Sequence, residues 1–167
     1  MMESPNFLLT LLIGGIGGFA LHAISMNVSF KQRTIDNKIK VFDSLIAQWV
    51  TMRNFIYGNN LVNQGNALSQ DLFMKFDQLY GTAQTLIGEA FLVCEDIDIP
   101  TDANELTERL YRTEWNNLSL EDANSKMETI KSDALVLIGK MRDDIKKSTR
   151  FDKSDIFYIM SGFWRKK

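Results

Sequence analysis

Hydrophobic and polar positions along the chain fall into one uncharged block followed by a series of helical stripes. The block, Phe7 to Val28, reads FLLTLLIGGIGGFALHAISMNV and contains no Lys, Arg, Asp or Glu. At about 1.5 Å per residue, a helix of that length crosses a hydrocarbon core roughly 30 Å thick. From Val28 to Tyr57 neither Pro nor Gly interrupts the chain, and Ile35, Ile39, Phe42, Leu45, Ile46, Trp49, Met52 and Ile56 recur at helical spacing. Turn-forming residues from Gly58 to Asn66 end this helix. A second stripe follows through Leu68, Leu72, Phe76, Leu79, Ala83, Leu86, Ala90 and Val93, and stops before the acidic run Glu95 to Pro100. Asp102 with Glu105 has the form of a capping box and predicts a short third helix through about Trp115. Ser119 is placed to cap a fourth, with Met127, Ile130, Ala134, Leu137, Ile138, Met141 and Ile145 on one face. Few runs alternate with period two, so no sheet is expected.

The pattern predicts an all-α protein in three parts. These are an N-terminal transmembrane helix over 1–28, a helical bundle over 29–147, and a basic aromatic tail over 148–167. A cleaved signal peptide would need a positive leader and a small-residue cleavage site. Met1 to Asn6 has no Lys or Arg, and Leu21 to Ser25 is a poor cleavage site, so the segment is expected to be retained. Lys31, Arg33, Lys38 and Lys40 follow the span and nothing basic precedes it. The positive-inside rule then puts the N-terminus outside and the bundle and C-terminus in the cytoplasm. The single Cys94 agrees with a reducing compartment.

On a helical wheel the span divides into two sides. Thr10, Gly14, Gly15, Gly17, Gly18, Leu21, His22, Ser25 and Ser29 gather on one, and bulky apolar residues on the other. A helix surrounded only by lipid has no reason to segregate them, whereas small residues let helix backbones approach closely. A homo-oligomer is expected. Two readings fit the face: a packing seam built on Gly14 and Gly18, or the lining of a pore with His22 as its polar constriction.

Charge is also segregated. Gly58 to Gly139 holds fourteen acidic residues against five basic, and Lys140 to Lys167 nine basic against four acidic. Lys140, Arg142, Lys146, Lys147, Arg150 and Lys153 suit the phosphates of a nucleotide or oligonucleotide, or lipid headgroups. Interleaved with Asp143, Asp144 and Asp152, they fit a plain solvated helix face better. The tail aromatics Phe163 and Trp164 suit either a membrane interface or the end of the bundle core. Catalytic chemistry is missing from the pattern. The only His lies in the apolar span, Cys94 has no partner for a zinc site, and the acidic run 95–102 lacks the spacing of a calcium loop. No metal, cofactor or enzymatic activity is expected.

Arg53-Asn54, at the end of a helix, resembles the Arg-Asn of helical ribonucleases of the HEPN superfamily, but Gly58 stands where their His would fall. A HEPN-like shape is therefore expected to be non-catalytic. Taken as a layout, the Phe7–Val28 span, the helical stripes and this degenerate Arg53-Asn54 resemble the small membrane effectors of bacterial antiphage defence. Among these are the ion-channel effector of the Hailong system and the accessory membrane pore protein associated with a CRISPR nuclease. The resemblance implies a bacterial inner-membrane channel that depolarises the cell. Its control would pass through the cytoplasmic domain, by an oligonucleotide or nucleotide signal or by a cytoplasmic defence protein. The competing expectation is a non-conducting, membrane-anchored scaffold whose helical domain docks a partner.

Overall fold

The computed structural model describes residues 5–62 and 69–149, and side chains from Ser25 onward within the first stretch, Asn27 excepted. Every element among them is helical: α1 (Pro5–Gly58), α2 (Gln70–Val93), α3 (Asp98–Arg112), the single 3₁₀ turn Trp115–Asn117, and α4 (Leu120–Thr149). The protein is all-α, and its core is a helical bundle. Asp36–Lys147 forms one compact unit that holds the buried core found among the described residues. Among the described residues no helix is long and apolar enough to cross a membrane. The side chains of 7–24 and of Asn27, which carry most of the expected span, lie outside those described.

In the bundle, α1 buries Val41, Phe42, Leu45, Trp49, Met52 and Ile56, one face at three- and four-residue intervals. The face is turned slightly from the expected one: Ile39 is exposed, and Lys38 points inward in its place. Asn60, with φ of 51°, takes the left-handed conformation that ends α1, and the Leu61 amide donates to the Ile56 carbonyl at 3.0 Å. This is a Schellman arrangement, with the buried Leu61 supplying its apolar contact. The α2 helix starts at the Ser69 cap, whose hydroxyl accepts from the Leu72 amide, and buries Phe76, Ala83, Ile87 and Ala90.

The expected capping box at Asp102 and Glu105 is not formed, because α3 begins four residues earlier. Asp96 takes the capping role, its Oδ1 accepting from the Asp98 amide at 3.1 Å. Pro100 sits in the first turn, where a missing N–H removes no helical bond. The third helix also stops at Arg112, and Trp115 opens the separate 3₁₀ turn, where its indole N–H donates to the Leu110 carbonyl at 2.9 Å. Ser119 does cap α4: it accepts from the Asp122 amide at 3.1 Å and donates to that residue's carboxylate at 2.6 Å.

Packing is fixed by directional bonds between helices. Gln48 on α1 donates to the Leu79 carbonyl on α2 at 2.7 Å, and Phe55 stacks on Phe76 with ring centres 5.4 Å apart. From Phe76 the aromatic contacts continue to Tyr111 and on to Tyr80, joining α2 to α3. The buried Trp49 indole donates to the Thr107 hydroxyl at 2.8 Å, which itself donates to the Ala103 carbonyl. At opposite ends of α4, Asp144 meets Lys38 and Asn124 meets Tyr57, so α4 runs antiparallel to α1. The α1–α2 pairs show that α2 does likewise. Arg109–Asp133 and Lys140–Asp102 bind α3 to α4. The α1 and α3 helices therefore form the middle of the unit, with α2 on one side and α4 on the other.

Thr107→Val keeps the side-chain shape and leaves the buried Trp49 N–H without its acceptor. It should lower stability by about 1–3 kcal/mol in denaturant titration, while Thr107→Ser stays near wild type.

Candidate functional site

The most unusual chemistry in the bundle is a lysine in its core. Lys38 is 0% exposed, and its ammonium lies 3.0 Å from Asp144 Oδ2 and 3.2 Å from Glu95 Oε1. Asp144 is also buried, whereas Glu95 is largely solvated. Lys38 falls one turn before Val41 and Phe42 on the inward face of α1, and Asp144 three residues after Met141 on the inward face of α4. The sequence carried this signal: a cation and an anion each continue an apolar stripe. Lys38 is thus separate from the exposed basic flank that its position after the span suggested.

Cys94, at the end of α2, is half-buried beside this pair. Burial is the main cause that pushes its thiol from near 9 up to about 11; the Asp144 charge adds to the rise and the Lys38 charge opposes it. A thiol held neutral in this way is a poor nucleophile.

A second feature is an apolar groove of about 320 Å³ between α1 and α4, with α3 as its floor. Ile46, Trp49 and Val50 line one wall, Ala134, Leu135 and Ile138 the other, and Leu106 and Leu110 the base. Arg53 and Lys131 stand at its edge. Arg53, the arginine of the ribonuclease-like dipeptide, lies over the Tyr57 ring at 5.9 Å from its centre, and Asn54 is exposed. Lys131 pairs with Glu128 on its own helix.

The residues of the expected ligand surface do not share one face. Arg142 and Lys146, one turn apart on α4, project together, while Lys140 and Lys147 lie on another side. Lys140 is bound to Asp102 of α3, and Lys146 to Asp143. The Asp102 carboxylate accordingly raises the Lys140 pKa. Arg150 and Lys153 lie outside the described residues. Of the expected pore or packing face, Ser25 is exposed on α1; the side chains of Thr10, Gly14, Gly17, Gly18, Leu21 and His22 lie outside those described. In the acidic run, Glu95 reaches Lys38, Asp96 caps α3 and Asp102 holds Lys140. Among the described residues no group of three or more His, Cys, Asp or Glu is placed to hold a metal ion. Comparison with protein-family models, curated proteins and solved structures gives no match.

Removing one charge from the core should cost far more than removing both. Lys38→Met is expected to lose about 3 kcal/mol or more, and Lys38→Met with Asp144→Leu to recover most of it in thermal unfolding. A double variant that loses the sum of the Lys38→Met and Asp144→Leu losses would show that the pair itself carries no coupling. Because the fold raises the Cys94 pKa, its neutral thiol adds stability below about pH 9 that is lost as the pH climbs through 11. Cys94→Ala should therefore flatten the fall in Tm between those values, and an unchanged slope would mean that the thiol titrates normally.

Proposed function

We propose that this protein is a homo-oligomeric membrane effector whose N-terminal helices form an ion-conducting path and whose helical domain receives the controlling signal. The observation that carries the reading is the uncharged stretch Phe7–Val28, with its small-residue face, at the head of a helix that continues to Gly58 without a break. Fourteen of its twenty-two residues are hydrophobic, and four of the other eight are glycines, each small enough, with Thr10 and Ser25, to sit at a helix–helix seam or a pore wall.

The proposed roles follow from the residue types. Gly14 and Gly18 would let neighbouring spans approach, and Thr10, Gly17, Leu21, His22 and Ser25 share their side of the helix. Arg142 and Lys146, side by side on α4, are the candidate contacts for a phosphate-bearing signal, with Lys140, Lys147, Arg150 and Lys153 near them in sequence. No catalytic residue is proposed. The membrane is the bacterial inner membrane, with the N-terminus outside and the bundle in the cytoplasm, and the antiphage setting rests on the likeness of layout alone. The apolar groove between α1 and α4 favours a second reading, a membrane-anchored scaffold that docks a cytoplasmic partner without conducting.

Ion efflux from liposomes carrying the full-length protein separates the two. Wild type is expected to release ions, and the Gly14→Leu, Gly18→Leu double variant to release none. A verified oligomer that conducts nothing, with or without short oligonucleotides, would support the scaffold instead.

A further inference from the structure

The outward faces of α2 and α4 differ from the rest of the bundle surface. On α2, Met74, Gln78, Gly81, Thr85, Gly88 and Leu92 recur every three or four residues, all exposed and none charged. Leu92 is 86% exposed. On α4, Ser132, Leu135 and Gly139 form the outward strip with Val136 beside it, and Leu135 and Val136 are each more than half exposed. The space where a Cβ would stand at Gly81, Gly88 or Gly139 is empty. Glycine inside a helix costs about 1 kcal/mol relative to alanine, and nothing within this subunit requires that cost.

One charged pair is complementary across the two strips: Glu89 stands beside Gly88 on α2, and Arg142 three residues after Gly139 on α4. Asp71 and Lys146 are paired on their own helices, with Lys75 and Asp143. Both helices run antiparallel to α1, so they are parallel to each other. Measured against their α1 partners, Gly88 and Gly139 stand at nearly the same height: α1 pairs Gln48 with Leu79 and Phe55 with Phe76 on one side, and Lys38 with Asp144 and Tyr57 with Asn124 on the other.

We propose that α2 of one copy packs against α4 of the next, in parallel, with Gly88 and Gly139 at the point of closest approach and Glu89 beside Arg142. The inference rests on the homo-oligomer proposed above and names its cytoplasmic interface. The two strips lie on opposite sides of the unit, so the contact is head-to-tail and closes into a ring when the rotation allows. Every copy in such a ring presents the Asp36 end of α1 to the same side. Exposed Leu92, Met74, Leu135 and Val136 become covered, and the missing Cβ atoms let the two backbones come close.

Cysteine cross-linking of the full-length protein, in a Cys94→Ala background, tests the contact. Co-expressed G88C and G139C chains should give a cross-linked dimer on oxidation, the G88C/G139C double variant a ladder of higher oligomers, and either single variant alone none. Separately, Glu89→Arg and Arg142→Glu should each weaken assembly, and combining them should restore it. Cross-linking by G88C alone would overturn the proposal in favour of an α2–α2 contact. An oligomer that shows neither the mixed cross-link nor the charge-exchange rescue would overturn this interface and leave the oligomer standing. A monomer at all concentrations would overturn both.

Discussion

The Lys38–Asp144 pair joins residues 106 positions apart and ties the start of the bundle to its end. Two charges removed from water lose hydration worth several kcal/mol each, which their attraction repays only in good geometry. The pair therefore adds little net stability, but it makes misalignment costly. An apolar stripe such as Leu45, Trp49, Met52 and Ile56 can slip by a turn against another and still bury itself. A buried ammonium cannot, because every other register leaves it facing hydrocarbon. Glu95, brought to the same ammonium, extends this constraint to the α2–α3 connection.

Much of the bundle was legible in the pattern of apolar residues. The stripes of α2 and α4, the Ser119 cap and the turn after Gly58 all follow from residue type and spacing. The start of α3 did not. Asp102-x-x-Glu105 has the composition of a capping box, but Asp96 offered an earlier cap and Pro100 is tolerated in a first turn. Sequence spacing alone gives no way to rank two adjacent start signals, and the earlier one is the start that buries Ile99 and Pro100.

The candidate site was less legible than the fold. A cluster of cations in sequence reads as a single surface, yet at 100° per residue Arg142 and Lys146 separate from Lys140 and Lys147. Lys38 shows the converse. Beside three other cations near an apolar span it reads as a membrane-facing charge, although its position relative to Val41 and Leu45 marks it as inward. Long-range pairing with Asp144 is invisible until both helices are in place.

The side-chain bonds that α1 makes to each of its neighbours also limit how it can move. Gln48 holds α2, Trp49 holds α3 and Tyr57 holds α4, at donor–acceptor distances of 2.7, 2.8 and 3.0 Å. Axial translation by one turn, 5.4 Å, would break all three at once. A push or pull along α1 is thus transmitted to the bundle as a whole, and the helix cannot act as a piston sliding between its neighbours.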